Sequence, residues 1–252
     1  MLTRFTTHAA RHLNKGNKEP TLLFCLRFQW YNSTTLEGVA ISMRKGLFVT
    51  FEGPDGSGKT TISTNVYQQL LTEGYDVIYT REPGGIDIAE QIRHIILDPK
   101  NTAMDVKTEA LLYAASRRQH LIEKVLPALA EGKIVICDRF IDSSLAYQGI
   151  GRQIGLDAVL AINEFAIEGN YPDCTIFLDI DPLEGLNRIS NRHYRDRLDR
   201  ETHEFHMRVA QGYVEVLKKY RHRMTVVDAN RPVEDIVKDA LVVILKRIES
   251  NV

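Results

Sequence analysis

Short apolar segments alternate with longer amphipathic segments along the chain from Gly46 onward. The short segments are rich in β-branched and aromatic residues and are apolar on both sides, which is typical of strands covered on both faces. The predicted strands are Leu47–Glu52, Asp76–Thr80, Lys133–Asp138, Thr175–Asp179 and Thr225–Asp228. Helices are predicted near 59–73, 87–97, 107–130, 156–168, 182–190, 201–221 and 232–249. This order predicts an α/β fold of three layers, with a five-stranded parallel sheet flanked by helices.

Residues 1–42 differ from the rest of the chain. They are polar and weakly basic and show no clear periodicity, so we expect an N-terminal extension that is disordered and lies outside the fold. Met43 then opens the folded domain, 43–252, with a segment that resembles a natural beginning, and an upstream start site is one explanation of the extension. A targeting peptide is the alternative, which Glu19 and Glu37 disfavour because they dilute the basic bias.

Charge and cysteine content limit the partners and the compartment. A net charge of −1, from 32 basic and 33 acidic residues, argues against nucleic acid as the main partner. No segment approaches the roughly 18 apolar residues of a membrane span, so no membrane partner is expected. Cys25, Cys137 and Cys174 show no pairing pattern, which indicates a reducing compartment. We therefore expect a soluble, cytoplasmic protein.

The segment GPDGSGKT matches the phosphate-binding loop pattern G-x-x-x-x-G-K-[ST], and it follows a predicted strand and precedes a predicted helix. The glycines let successive N–H groups point at phosphate oxygens, and the helix N-terminus adds positive charge. Lys59 is expected to reach the β- and γ-phosphates of ATP, and the Thr60 hydroxyl to help bind Mg²⁺. A chance match in a glycine-rich turn is the alternative, and the flanking elements disfavour it. The predicted phosphate-binding residues are Gly53, Pro54, Asp55, Gly56, Ser57, Gly58, Lys59 and Thr60.

The loop by itself does not identify the reaction, since GTPases, ATP-driven motors and small-molecule kinases share it. The sequence has no N-K-x-D tetrapeptide of the kind that specifies guanine. A helicase or motor is expected to be larger and to have basic single-strand channels. A compact kinase is therefore the favoured class.

The third predicted strand ends in Asp138-Arg139. Carboxyl ends of parallel strands face the ligand crevice, so Asp138 is placed to be a Mg²⁺ partner for Thr60. Arg139 is placed to put positive charge between two phosphate groups. The alternative is a surface ion pair, which contributes little to stability.

The long helix predicted over 107–130 carries two candidate binding residues, and a bend is expected at Pro127. Tyr113 and Arg117 are four residues apart and therefore adjacent, so they can sandwich and hydrogen-bond a base. A half-buried tyrosine beside a solvated arginine is the alternative, which spacing alone favours. The predicted apolar stripe of this helix is Leu111, Ala115, Ile122, Val125 and Leu129.

Arginines are concentrated between two predicted helices, over about 188–201. A kinase must neutralise the charge that spreads over the transferred phosphoryl group, and the phosphate loop supplies only Lys59. A mobile lid closing over ATP would supply the missing charge and exclude water. A solvated charged face is the alternative. The arginines are Arg188, Arg192, Arg195, Arg197 and Arg200.

Five motifs together resemble those of bacterial thymidylate kinases, within the P-loop nucleoside monophosphate kinases. They are TFEGPDGSGKTT, TREPGG, DRFIDSSLAYQG, NEFAIEGNYPD and RLDRE, in the family's order and spacing from about Lys45 onward. The resemblance implies a P-loop kinase fold with an arginine-rich lid and a homodimer. It also implies ATP-dependent, Mg²⁺-dependent phosphorylation of dTMP to dTDP in dTTP biosynthesis.

The resemblance also implies residue roles. Tyr113 corresponds to an aromatic residue that stacks on thymine, commonly phenylalanine, and Phe140 replaces the usual tyrosine. For dTMP, Arg117, Ser144 and Gln148 are implied at the base, Arg93 and Arg139 at the phosphate, and Asp55 at the sugar 3′-hydroxyl or at Arg139. The implied catalytic residues are Lys59, Asp138, Arg139, Arg197 and Arg200.

Two other functions remain open from the residues alone. A deoxynucleoside kinase needs a carboxylate base for the 5′-hydroxyl, for which Glu82 is the candidate. Such enzymes typically have Glu-Arg-Ser where this chain has Asp138-Arg139-Phe140. A nucleotide-binding regulatory module is the non-enzymatic alternative, which the arginine-rich lid disfavours because binding alone does not require so many arginines.

Overall fold

The computed structural model describes residues 46–190 and 196–250. The predictions for residues 1–42, for Met43, and for Arg192 and Arg195 lie outside the described residues. The sheet has five parallel strands in the order β2-β3-β1-β4-β5, which confirms the predicted fold class. Each strand was predicted to within one residue at either end. The strands are β1 Leu47–Glu52, β2 Val77–Arg81, β3 Ile134–Asp138, β4 Cys174–Asp179 and β5 Met224–Asp228.

Helices connect the strands and cover both faces of the sheet. Two segments over 121–125 and 145–151 are π-helical, and neither was predicted as a separate element. No described helix combines the length and the apolar character needed to cross a membrane. The helices are α1 Lys59–Thr72, α2 Asp87–Leu97, α3 Val106–His120, π1 Leu121–Val125, α4 Leu126–Ala130, α5 Ile141–Ser144, π2 Leu145–Gly151, α6 Leu156–Ile167, α7 Pro182–Ser190, α8 His203–Tyr220 and α9 Val233–Ser250.

The helix predicted over 107–130 consists of α3, π1 and α4. The N–H of Leu126 donates to the carbonyl of Leu121, an i→i+5 bond that ends the wide π turn. Pro127 then falls in the first turn of α4, where its missing N–H leaves no helical bond unmade. The predicted apolar stripe is wrong at Leu111, Ala115 and Ile122, which are exposed.

Side chains of β1 alternate between two cores. Val49 and Phe51 pack with α1 and α9 on one face of the sheet. Phe48 packs on the other face with residues of α3, α6 and α8. This alternation places Glu52 on the same face as Phe48, because side chains two residues apart share a face. A carboxylate therefore ends a largely apolar and wholly buried strand, at the edge of the sheet where the phosphate loop begins.

Strands β1 and β3 are neighbours, and the chain leaves them toward opposite faces of the sheet. After β1 it enters α1, which packs on the core of Val49, whereas after β3 it enters α5, which packs on the core of Phe48. Ligand crevices of open α/β sheets lie outside the carboxyl ends of strands at such a point. The phosphate loop and the segment Asp138-Arg139 meet there.

Candidate active site

The phosphate loop connects β1 to α1 and packs closely against α7. Gly56 has φ +81°, and a Cβ at this position would lie 2.2 Å from the carbonyl oxygen of Gly185. Only glycine fits both the left-handed backbone and the space. Gly58 is also left-handed and immediately precedes α1, so the first N–H groups of that helix face the cleft.

The Lys59 ammonium group is folded over its own loop. It donates to the carbonyl oxygens of Gly53 (2.9 Å) and Pro54 (2.8 Å) and to the hydroxyl of Ser57 (3.4 Å). Burial, followed by the positive charge of Arg139, lowers the pKa of Lys59 to about 8. The lysine is thus partly neutral near pH 8 unless a negative group approaches it.

Thr60 and Asp138 form a contact between the loop and the end of β3. The Thr60 hydroxyl donates to Oδ2 of Asp138 at 2.6 Å, and Oδ1 is buried without a hydrogen-bond partner among the described residues. An unpartnered carboxylate oxygen beside a hydroxyl fits a Mg²⁺ ion that takes its other ligands from phosphates and water. The described residues contain no group of three or more His, Cys, Asp or Glu side chains that could hold a metal ion by themselves.

Arg139 has a left-handed backbone, with φ 70°, and its guanidinium group lies against the phosphate loop. It forms an ion pair with Asp55 and donates to the hydroxyls of Ser143 (3.1 Å), Tyr147 (3.3 Å) and Tyr213 (3.3 Å). Burial raises the pKa of Asp55, but the charge of Arg139 opposes this and brings it to about 2. The pair is therefore ionised at neutral pH.

Glu52 contacts the segment that follows Arg139, and it was not predicted as a site residue. Its two oxygens accept from the N–H of Phe140 (2.8 Å), the N–H and hydroxyl of Ser143 (3.2 and 2.6 Å) and the hydroxyl of Tyr213 (3.0 Å). Burial and the negative charge of Asp142 raise its pKa to about 7. Glu52 thus fixes the backbone that follows Arg139.

A single cleft of about 280 Å³ brings together the residues predicted to bind the phosphate donor and those predicted to bind the acceptor. Lys59 and Thr60 line it on the phosphate-loop side, and Arg93, Tyr113 and Arg139 line it beyond the loop. The Arg93 guanidinium group is held by a hydrogen bond to the carbonyl oxygen of Pro83 at 2.9 Å. Of the other predicted residues, those that line this cleft are Asp55, Gly56, Gly58, Arg117, Asp138, Ser144 and Gln148.

Arg117 is buried, with 2% of its side chain exposed, so the alternative of a solvated arginine is wrong. Its Nε donates to Glu82 at 2.8 Å, and Nη1 donates to the Ser144 hydroxyl at 3.0 Å and to Oδ1 of Asn163. Nη2 donates to the carbonyl oxygen of Phe140 at 3.0 Å. The arginine is therefore fixed at the wall of the cleft by four acceptor residues from three separate segments.

Glu109, a second unpredicted residue, connects Gln148 at the cleft to Arg197 in the segment predicted to be a lid. Its Oε1 accepts from the Gln148 amide (2.9 Å) and from Nε of Arg152 (3.1 Å). Its Oε2 accepts from Nη2 of Arg152 (2.9 Å) and from Nη2 of Arg197 (2.6 Å). Burial opposes the ionised form, but the hydrogen bonds and the charge of Arg152 lower the pKa of Glu109.

The described lid arginines occupy different positions. Arg197 is buried, and besides Glu109 it donates to the carbonyl oxygen of Ile96 at 2.7 Å. Neither Arg197 nor Arg200 lines the cleft in the described part of the chain, although Asp196 and Leu198 do. Arg188 donates to the carbonyl oxygen of Gly56 in the phosphate loop at 3.3 Å.

The comparisons with known proteins agree on one family. A sequence model described as thymidylate kinase matches residues 51–240. The chain is 53% identical to the thymidylate kinase of Geobacillus sp. (strain WCH70) over 209 residues, which are 82% of this chain and 100% of the relative. It is 57% identical to that of Clostridium novyi (strain NT) over 199 residues, 78% of this chain and 97% of the relative.

Solved structures give the same result. The crystal structure of thymidylate kinase from Ehrlichia chaffeensis superposes with a TM-score of 0.65 at 35% sequence identity. The match covers 79% of this chain and 98% of that one. The chain therefore belongs to the thymidylate kinase family.

Proposed function

We propose which residues carry out the reaction of this family member, the ATP-dependent phosphorylation of dTMP to dTDP in dTTP biosynthesis. The observation that carries the proposal is the shared cleft, in which a phosphate-binding loop faces two further cations, Arg93 and Arg139. A phosphate monoester has a second pKa of about 6, so the acceptor is already ionised at neutral pH. No general base is needed, and catalysis consists of positioning and charge neutralisation.

On the donor side, the phosphate loop 53–60 holds the ATP phosphates with main-chain N–H groups and the N-terminus of α1. The Lys59 ammonium group exchanges its bonds to the loop carbonyls for bonds to phosphate oxygens. Support comes from the flexible four-carbon stem and from its position at the cleft wall. The added negative charge raises the pKa of Lys59 and keeps it protonated.

Thr60 and Asp138 are the proposed Mg²⁺ site. When bound, the ion supplies positive charge between the phosphate oxygens of ATP. Support comes from Oδ1 of Asp138, which is buried and has no hydrogen-bond partner among the described residues. Asp138 also orients the Thr60 hydroxyl through their 2.6 Å hydrogen bond.

On the acceptor side, Arg93 and Arg139 hold the dTMP phosphate. Asp55 orients Arg139 through their ion pair and reaches the sugar 3′-hydroxyl. The base lies on the ring of Tyr113. Its edge is read by the polar side chains beside that ring, Arg117, Ser144 and Gln148.

The lid arginines Arg197 and Arg200 neutralise charge on the transferred phosphoryl group when both nucleotides are bound. Support comes from their neighbours in the chain, since Asp196, Leu198 and Asp199 line the cleft. In this structure the pair of Arg197 with Glu109 holds the segment against the acceptor side.

The enzyme is proposed to be a homodimer that joins through α2, α3 and α6. Helix α2 packs against α3, and α3 packs against α6. Their outward apolar residues form a face that a second copy of the chain would cover symmetrically with its own equivalent face. Phe165 on α6 is 86% exposed and Leu111 on α3 is 55% exposed. The other exposed apolar residues of these helices and of π1 are Ile88, Ile95, Val106 and Ile122.

The proposed location is the cytoplasm. Support comes from Cys137 and Cys174, which are buried free thiols in the structure. A reducing compartment keeps such thiols unpaired.

An ADP-release assay across nucleoside monophosphates and thymidine tests the proposed function. We expect ADP formation with dTMP and none with thymidine. Turnover of thymidine in the absence of dTMP would support the deoxynucleoside kinase alternative. ATP binding without turnover of any acceptor would support the regulatory module.

A further inference from the structure

The side-chain amide of Gln148 forms a hydrogen bond through its NH₂ group but none, among the described residues, through its carbonyl oxygen. The side chain is 1% exposed and lines the cleft beside Tyr113, Arg117 and Ser144. Its Nε2 donates to Oε1 of Glu109 at 2.9 Å, whereas no described residue donates to its carbonyl oxygen. The two ends of a glutamine amide differ in chemistry, so its orientation decides what the cleft can recognise.

Glu109 fixes this orientation because an ionised carboxylate can only accept hydrogen bonds. It is buried and receives bonds from Arg152 and Arg197 as well as from Gln148, which keep it ionised. A flipped Gln148 would place its carbonyl oxygen against a carboxylate oxygen, two acceptors without a proton between them. The NH₂ group is therefore held at Glu109 and the carbonyl oxygen is left for the cleft.

Arg117 lines the same cleft and supplies the opposite chemistry. A guanidinium group only donates, and Arg117 is fixed by Glu82, Ser144 and Asn163. The cleft thus offers a fixed donor and a fixed acceptor. Thymine and uracil present a carbonyl oxygen beside a ring N–H, which is complementary. Cytosine presents an amino group beside an unprotonated ring nitrogen, which is the reverse pattern.

We propose that Glu109 is a positioning residue that determines base specificity: by holding the amide of Gln148 in one orientation, it makes the cleft accept the thymine and uracil edge and reject the cytosine edge. This inference rests on the proposed function, because it requires a base at Tyr113 and Arg117. Glu109 acts through Gln148 and does not touch the nucleotide.

The test replaces Glu109 with its isosteric amide, Glu109→Gln, which can donate as well as accept and so permits Gln148 to flip. The purified enzyme is assayed for ADP release with dTMP, dUMP and dCMP, and dCMP is also measured as a competitive inhibitor. We expect the dTMP:dCMP ratio of kcat/KM to fall about tenfold or more, the effect of one buried hydrogen bond. The dTMP:dUMP ratio stays constant, because these bases share the same edge.

Arg152→Gln is the matched control, since it alters another partner of the same carboxylate and leaves the bond to Gln148 in place. We expect it to lower activity with all three nucleotides by the same factor. In a Gln148→Leu background, Glu109→Gln is expected to have no further effect on the dTMP:dCMP ratio, as a double-mutant cycle requires when one residue acts through the other. Thermal melting establishes that each variant is folded.

The outcomes separate this inference from the proposed function. A wild-type enzyme that phosphorylates no dTMP overturns the proposed function. A wild type that phosphorylates dTMP and a folded Glu109→Gln variant with an unchanged dTMP:dCMP ratio overturn only the inference. If Glu109→Gln does not fold, Gln148→Leu decides: an equal loss for dTMP and dCMP contradicts the proposal, and a selective loss for dTMP and dUMP supports it.

Discussion

At the scale of single residues, the charge of Lys59 depends on what the cleft holds. Burial and Arg139 lower its pKa to about 8, and triphosphate binding raises it again. Binding of ATP above pH 8 therefore requires proton uptake, and the affinity must fall as the pH rises through the pKa of the free protein. Below pH 8 the lysine is protonated before binding, and the affinity loses this dependence.

We predict that the dissociation constant for ATP rises up to about tenfold per pH unit above pH 8. Isothermal titration calorimetry in two buffers of different ionisation enthalpy, at pH 7 and 8.5, measures both the affinity and the proton uptake. Lys59→Arg is the control, because arginine stays protonated throughout this range. Equal affinity from pH 7 to 9.5 for the wild type, or the same decline for Lys59→Arg, contradicts the prediction.

Two alanine substitutions test the proposed roles at the phosphates. We predict that Lys59→Ala and Arg139→Ala each lower kcat by about 10²-fold or more, since each removes a charge that acts on the phosphates. Dichroism and thermal melting check that the fold is kept. Near-normal dTDP formation by either folded variant would show that its residue has no such role.

At the scale of elements, the sequence predicted the strands well because each is apolar and bounded by turn residues. The predicted stripe over 107–130 was wrong at Leu111, Ala115 and Ile122 because an exposed apolar face and a buried apolar face have the same periodicity. The burial of Arg117 was also unpredictable from its spacing to Tyr113, because its acceptor, Glu82, follows β2 far upstream. The acidic residue Glu109 in the first turn of α3 looked like an ordinary helix N-terminal carboxylate.

Glu52 connects β1 to α5 and α8, and its ionisation links the stability of these elements to pH. Its pKa is about 7 in the folded protein and about 4.5 in an unfolded chain. Its contribution to stability is therefore complete below pH 4.5 and is lost as the pH rises through 7. The only signal for Glu52 in the sequence is its position, since it is a carboxylate at the end of a mostly apolar predicted strand.

We predict that the melting temperature of Glu52→Gln, relative to wild type, shifts in favour of the variant between pH 5 and pH 8. Glu109→Gln is the matched control, because the hydrogen bonds and charge of Arg152 hold the pKa of Glu109 below its ordinary value, on the opposite side from that of Glu52. Differential scanning fluorimetry at several pH values gives both differences. A Glu52→Gln difference that is constant over this range, or parallel to that of Glu109→Gln, refutes the assignment.

At the scale of the whole molecule, the two sides of the sheet differ in what they leave exposed. The layer of α2, α3 and α6 carries the apolar face with Phe165 at 86% exposure, and the opposite layer contains α1 and α9. We predict that Phe165→Asp makes the proposed homodimer monomeric, because an unpaired charge is costly to bury in the proposed interface. Light scattering after size exclusion gives the mass.

Val242→Asp on α9 is the control for this prediction, since Val242 is an exposed apolar residue on the other side of the sheet. It should leave the dimer intact. A wild type that is monomeric at micromolar concentration, or dimers that dissociate equally in both variants, speaks against the proposed face.

The central claim is that two nucleotides meet end to end in one cleft, one on the phosphate loop and one on the arginines beyond it. A crystal structure of the wild type with dTMP and a non-hydrolysable ATP analogue measures this directly. We predict the analogue's γ-phosphate at Lys59 and the dTMP phosphate between Arg93 and Arg139, with its base on Tyr113. A dTMP phosphate bound away from both arginines, or nucleotides in separate sites, would contradict the account.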